Sequence, residues 1–420
     1  PLRLLALRTE YLDEPRGIAT ATPRLSWRIT GDGYNRRQTA YQIQVADSPQ
    51  ALKSGKPLLW DSGKIASEIT PSVRYHGTPL THGQIAYWMV RVWDESDQPS
   101  AWSKATFWQH GIDAAAWESA HWIAFPTAKD EGQLSQPVAF VRHQFAVHKP
   151  IASATLYATA LGLYEIHLNG TIVGDRVLTP GWTDYNHRAM YQAYDVKSLL
   201  TTGDNAIAGM IGDGWYCGYL GFEQNFSRYG DFPALRCRLD ISYADGTSDM
   251  IVSSPAWKGT NAHIRAADFY MGATIDYTKE IPGWDLSGFD DRHWHTVTTV
   301  AYHGVMSPDT SPPLRIVEKL PVTRITQPSA RVYIVDFGQI YAGKIRLLVK
   351  AAKGRQIVMR YGEILNPDGS LHTINLRAAK QTDTFTMDGK ERWIDAPFTY
   401  KGFRYVEITG LDRAPKATDI

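Results

Sequence analysis

Between residues 40 and 46 the chain sets Tyr41, Ile43 and Val45 against Gln42 and Gln44, and further on it sets Trp88, Val90 and Val92 against Tyr87, Met89 and Arg91. A period of two places each set on one face of a strand. Turns rich in Pro, Gly and Asp separate these segments, which is the pattern of a small antiparallel sandwich of about a hundred residues. A boundary falls near Gly111, where Ala114–Ala116 and Trp117 precede a new set of strands. In that second block Leu163–Leu168 meets Asn169-Gly170 and continues with Thr171–Val173. Asn-Gly between two apolar runs predicts a type I′ hairpin. A second hairpin is predicted from Leu235–Tyr243 through Asp245-Gly246 to Met250–Ser253. The stretch Leu178–Phe232 between them, full of Gly, Trp and Tyr, reads as one long loop. Loops beyond ~15 residues are usually functional or disordered, and this one is too aromatic for disorder.

A third block opens near Lys319, with strands predicted at Val332–Val335, Ile345–Val349, Gln356–Arg360 and Phe403–Ile408 and a turn at Asn366-Pro367-Asp368-Gly369. No helical period lasts beyond about three turns. The expected fold class is therefore all-β: three consecutive antiparallel β-sandwich domains over residues 1–112, 113–318 and 319–420. The length of 420 residues agrees, at roughly 150 per domain. So does the composition, with 14 Trp, 22 Tyr, 13 Phe, 34 Gly and 23 Pro, which favours short strands and tight turns.

Charge narrows the partners. Lys and Arg number 44 against 43 Asp and Glu, so no polycationic field exists to draw nucleic acid or a membrane surface. The longest apolar candidate, Ala206–Gly212, falls far short of the ~18 residues of a membrane span. Cys237 alternates with Leu235, Leu239 and Ile241 and reads as a core thiol; Cys217 sits in the Gly- and aromatic-rich stretch, and a bridge between the two is the minor expectation. Two cysteines leave the compartment open between cytoplasm and periplasm or secretion. The opening on Pro1, without Met or an apolar leader, is expected of a processed chain or a fragment.

Several runs carry a resemblance. Leu7-Arg8-Thr9-Glu10-Tyr11-Leu12, Thr22-Pro23-Arg24-Leu25-Ser26-Trp27, Leu59-Trp60-Asp61-Ser62-Gly63 and Tyr87-Trp88 through Asp94 resemble the leading fibronectin-type-III-like domain of bacterial α-L-rhamnosidases. Ala160 to Glu165, Leu178-Thr179-Pro180-Gly181-Trp182-Thr183-Asp184-Tyr185, Gly212-Asp213-Gly214-Trp215-Tyr216, Pro282-Gly283-Trp284-Asp285 and Gly288 to Asp291 resemble that family's N-terminal jelly roll. Asp336-Phe337-Gly338-Gln339, Tyr341-Ala342-Gly343, Gly362-Glu363-Ile364-Leu365, Asn375-Leu376-Arg377 and Phe398 to Tyr405 are similar to the β-domain before its catalytic barrel. The resemblance covers essentially the whole chain in the family's order. It implies a parent enzyme that releases terminal α-L-rhamnose from glycosides or polysaccharides by inverting hydrolysis. The two carboxyls of an inverting pair stand ~6.5–9.5 Å apart, and the family carries them on a helical (α/α)₆ barrel expected after Ile420. No catalytic residue is therefore transferred, and the chain is read as the non-catalytic N-terminal β-domain portion. A stand-alone carbohydrate-binding protein and a purely structural scaffold for the barrel are the alternatives.

Trp182, Asp184, Tyr185, Asn186 and His187, with Trp215, Tyr216, Asn225 and Asp231, combine aromatic faces with polar acceptors. Sugars need this combination, since their C–H faces stack on rings while hydroxyls seek fixed partners. The alternative is that Trp182 and Trp215 anchor the loop in the core and the polar residues form turns. The resemblance implies, for some members, a rhamnose-binding jelly roll with a calcium at the sugar hydroxyls; Asp184, Asn186, Asn225 and the Pro233 carbonyl are the hard-oxygen candidates. No other cofactor is expected. Glu363, Asn375, Arg377 and Asp383 sit where the barrel is expected to abut, and are read as inter-domain interface residues. His293-Trp294-His295 has a chelating spacing without a third ligand and reads as a solvated strand face. Asp290-Asp291 and Asp13-Glu14 are adjacent carboxylates, which point to opposite strand faces, and read as turn residues rather than acid/base pairs.

Overall fold

The computed structural model describes residues 2–221 and 225–420. They form two compact units, Pro1–Ser119 with Tyr191–Tyr194 and Met306–Pro312, and the remainder. Among the described residues the longest helix is Pro49–Ser54, as the absence of a sustained helical period predicts. No helix is long and apolar enough to cross a membrane.

The first unit is a sandwich. One sheet pairs Arg3–Thr9, Arg24–Thr30 and Val73–Arg74; the other orders Trp60–Asp61, Ala40–Ala46, Ile85–Trp93 and Thr106–Gln109, with Ile65–Ala66 also on Ala40–Ala46. The alternation read from the sequence is what buries Ile43 and Val45 against Trp88, Val90 and Val92, together with Leu25 and Trp27 from the other sheet. Each such side chain contributes about 1.5–3 kcal/mol on leaving water. The buried indoles do not lose their hydrogen bonds: Trp27 Nε1 donates to Gln38 Oε1 (2.9 Å) and Trp88 Nε1 to Thr9 Oγ1 (3.2 Å).

In the second unit a six-stranded sheet runs Thr171–Ile172, Leu163–Leu168, Gly203–Gly212, Ala139–Val147, Lys258–Asn261, His295–Thr296. The Asn169-Gly170 hairpin forms as predicted, with both residues at positive φ (50° and 83°). The second hairpin forms as well, joining Ala234–Tyr243 to Ser248–Val252. Ala234–Tyr243 lies beside Ile151–Leu161 in a second sheet, and the two sheets meet where Gly209 faces the Leu235 side chain.

Leu178–Phe232 is not one loop. It contains the strands Arg188–Asp195 and Gly203–Gly212 and the short helix Gly214–Cys217, while 222–224 lie outside the described residues. Gly203–Gly212 is buried on both faces from Asn205 onward. Such a strand shows no alternation, and Ala and Gly carry no strand preference to replace that signal.

The third block's sheet orders Ile264–Asp268, Gly272–Asp276, Thr382–Thr386, Gln356–Gly362, Lys401–Thr409, Val332–Gly343 and Arg324–Ser329. Its first two strands come from the middle block, and Gly272–Asp276 joins Thr382–Thr386 in parallel. The sheet thus crosses the expected boundary at 318/319. Gly272 permits this join: its φ is +96°, and a Cβ there would lie 2.0 Å from the Thr382 carbonyl. The turn at Asn366–Gly369 closes with the Gly369 N–H on the Asn366 carbonyl (2.9 Å).

Candidate functional site

The segment after Leu178 turns tightly before its strand, and its polar residues hold the turn. Asp184 Oδ1 accepts the Asn186 N–H (3.1 Å), the Asp184 carbonyl accepts the His187 and Arg188 N–H groups, and Arg188 Nε donates to Thr183 Oγ1 (2.7 Å). Tyr185 goes inward. It is 2% exposed, donates to the Gly181 carbonyl (3.0 Å) and packs edge-on against Tyr216 and Tyr229. Burial pushes its phenol far above the ordinary range. Tyr216 is buried too. These two rings therefore support the surface rather than offer a sugar face.

Trp182 goes outward and is 56% exposed. Its ring runs parallel to that of Trp215, 3° apart with centroids at 6.4 Å. Trp215, on the helix Gly214–Cys217, leans on Phe269 (4.4 Å), and Phe269 meets Tyr400 edge-on (5.3 Å). Tyr400 is 40% exposed, so an aromatic strip runs from Trp182 to Tyr400. Sequence reasoning found the two tryptophans and missed Phe269 and Tyr400, which the fold brings from far along the chain. Asp184, Asn186, Asn225 and Asp231 are exposed. Asp231 receives Gln136 Nε2 on its backbone carbonyl, and Asn225 adjoins 222–224 with its carbonyl taken by Leu220 N–H.

This oxygen set does not fit calcium. Asp184 and Asn186 share one turn whose carboxylate is already accepting, whereas calcium takes six to eight oxygens. Among the described residues no group of three or more His, Cys, Asp or Glu is placed to hold a metal. His293 and His295 do not form one chelating face: His293 lies in a turn, and His295 stacks on Phe125. Of the adjacent carboxylates, Asp290 pairs with Arg292, whereas Asp291 pairs with the buried Arg142 and with Lys258. Asp13 pairs with Arg8.

Cys217 and Cys237 are both buried and unbridged. Burial raises the Cys237 thiol to about 12, which fits the inert core thiol read from its alternation.

A buried charged layer adjoins the strip along the chain, with Asp213 just before the helix of Trp215 and Asp268 just before Phe269. Asp213, 5% exposed, has its carboxyl pushed up to about 7, by burial first and then by Asp268 among other groups; Gln136 N–H at 3.4 Å opposes the shift. Asp268 accepts the N–H groups of Tyr219, Tyr270 and Met271. Asp383 departs from the expected interface. It is wholly buried, and its oxygens take the Lys401 ammonium (2.6 Å), the Tyr361 hydroxyl (2.6 Å) and the Ala273 N–H (2.9 Å). It joins the middle and third blocks internally and presents nothing to solvent. Glu363, Asn375 and Arg377 are exposed, near the exposed Ile364 and Ile374, and Arg377 has a strained backbone (φ 56°, ψ −115°).

Comparison with known proteins gives three consecutive family matches: "Rha78A-like, N-terminal immunoglobulin domain" over 4–113, "Alpha-L-rhamnosidase N-terminal domain" over 149–318 and "Bacterial alpha-L-rhamnosidase concanavalin-like domain" over 326–420. An α-L-rhamnosidase of Alteromonas sp. is 35% identical over 95% of this chain and 44% of its own length. One from Streptomyces avermitilis is 31% identical over 100% of this chain and 57% of its own. The crystal structure of Streptomyces avermitilis α-L-rhamnosidase complexed with L-rhamnose superposes with a TM-score of 0.93 at 30% identity, covering 100% of this chain and 57% of that one. The chain spans about half the length of the curated relatives it matches. With near-complete coverage by these relatives and three family models in order, the chain belongs to the bacterial α-L-rhamnosidase family and corresponds to its N-terminal β-domain portion.

Proposed function

We propose that this chain is the non-catalytic part of an enzyme that releases terminal α-L-rhamnose from glycosides or polysaccharides by inverting hydrolysis, and that its jelly roll, residues 113–318, presents rhamnose with a binding platform. One observation carries the binding reading: Trp182, 56% exposed, is held parallel to Trp215 at the head of an aromatic strip. An exposed indole that heads a contiguous aromatic strip is the kind of patch that marks a binding surface. Asp184, Asn186 and Asp231 supply polar groups at the exposed surface of the same unit, without a metal. Residues 1–112 and 319–420 precede and follow it in the chain as further sandwiches. Glu363, Asn375 and Arg377 are the residues we assign to contact with the catalytic domain of the same polypeptide. The crystal structure of the Streptomyces avermitilis relative complexed with L-rhamnose makes that sugar the natural probe.

Titration calorimetry of the chain with L-rhamnose is expected to give saturable heat, equal with calcium and with a chelator, and lost in Trp182→Ala. A flat titration removes the binding reading. The chain is expected to leave an aryl α-L-rhamnoside intact; turnover removes the non-catalytic reading.

A further inference from the structure

The first unit has a cleft of its own. It measures about 520 Å³ and opens at the edge of the sandwich, between Trp60–Asp61 and Ile65–Ala66 of one sheet and Val73–Arg74 of the other. Trp60 and His76 form one wall, their rings edge-on at 6.2 Å. Gly77 makes that wall buildable, because a Cβ there would lie 2.5 Å from both the Trp60 Cβ and the Tyr75 hydroxyl. Ile65 and Ile69 line the cleft and remain 40% and 56% exposed.

The polar lining is lopsided. Its acceptors are already engaged. Asp61 takes Gln42 Nε2 (2.7 Å) and Gly63 N–H (2.9 Å) on one oxygen and Gln44 Nε2 (2.8 Å) on the other. Ser62 Oγ accepts the Ile43 N–H and donates to the Gly63 carbonyl, Ser67 Oγ accepts the Ile69 N–H, and Ser72 Oγ is bonded to the Tyr11 hydroxyl. The groups left over lean to donors: Trp60 Nε1 and the Arg74 guanidinium have no hydrogen-bond partner among the described residues, and neither do the Tyr41 hydroxyl and the His76 ring, each of which can donate or accept. The neighbouring carboxylate is hydrogen-bonded elsewhere: Glu10 takes the backbone N–H (2.6 Å) and the Nε (3.0 Å) of Arg24, the cross-strand partner of Arg74, and feels the Arg74 charge without a hydrogen bond to it.

An indole beside unspent donors and a planar guanidinium suits a ligand with an apolar ring face and a planar anion. A pyranose has the first, and a carboxylate on it matches the Arg fork bidentately. Strand addition by a peptide fits less well, because the flanking edge strands are only two residues long and offer few backbone bonds. We propose that this cleft binds a uronate residue of an acidic oligosaccharide. The site is separate from the Trp182 platform and does not depend on it.

The test is titration calorimetry of the whole chain with trigalacturonate and with its methyl ester, which keeps the rings and loses the charge. Saturable binding of the acid is expected, weakening as salt is raised. The ester and the Arg74→Gln variant are each expected to bind about tenfold more weakly or worse, as the loss of a charge-assisted hydrogen bond implies. Arg74 is exposed, and an unchanged unfolding midpoint will show that the variant is folded. Trp182→Ala is expected to bind the acid normally. Absence of saturable heat with the acid, equal binding of acid and ester, or full binding by folded Arg74→Gln each overturns the proposal.

Discussion

Asp213 offers a test of the charged layer because its sign reverses the usual one for an aspartate. Burial raises its folded pKa from 3.8 to about 7, so between those values the folded state holds a proton that the unfolded state has released. Stability therefore falls as pH rises through this window. Below the unfolded pKa the carboxyl is neutral in both states and imposes nothing; above about 7 the whole penalty is present. A difference of about 3 units at 1.36 kcal/mol each sets the ceiling near 4 kcal/mol. Asp213→Asn removes the charge and keeps an oxygen for the Gln136 N–H. The variant is expected to be more stable than the parent by about 2–4 kcal/mol at pH 8 and to match it near pH 4. Urea unfolding followed by tryptophan fluorescence at both pH values measures this. A gain of equal size at both, or a loss at pH 8, refutes the reasoning that desolvation governs this carboxyl.

Lys401→Met leaves Asp383 buried without its cation and is expected to cost about 3–5 kcal/mol; adding Asp383→Asn returns part of that, readable from the same urea curves. Trp182→Ala, at an exposed position, is expected to change stability by less than about 0.5 kcal/mol while abolishing rhamnose heat in calorimetry, and a large stability loss would instead make Trp182 an anchor. Gly272→Ala is expected to lower the thermal midpoint strongly, since its positive φ alone costs about 1–3 kcal/mol and its methyl would meet the Thr382 carbonyl. Gly33→Ala, also at positive φ but with open space around the site, is the control expected to lose less.

The parts of the fold legible in the chain are those whose cause is local. Alternation at Tyr41–Val45 and Trp88–Val92 set the faces of the first sandwich, because each strand there has one wet and one dry side. Asn169-Gly170 and Asn366–Gly369 specified their turns through backbone conformations that few residues adopt. Gly203–Gly212 was unreadable for the opposite reason, being covered on both faces by partners distant in sequence.

The site divides in the same way. Trp182 and Trp215 stood out by residue type, but the sequence offered Tyr185 and Tyr216 with equal warrant, and only packing left Trp182 exposed, Trp215 half-buried against the core and both tyrosines inside. Asp383 read as a surface contact because carboxylates usually are, yet it lies 2.6 Å from Lys401 with neither exposed. Burial of a charge is decided by a partner eighteen residues away and by the strand Gly272–Asp276 beside it. The cleft drew on one quoted run, Leu59 to Gly63, but nothing in that run gave the state of Arg74, since what distinguishes it from Arg24 is that only Arg24 is hydrogen-bonded to Glu10. Local pattern and turn chemistry determined the class, order and many strands of this protein. The sheet that crosses the block boundary, the orientation of each aromatic ring and the pairing of each buried charge are properties of tertiary neighbours, and a linear pattern does not encode them.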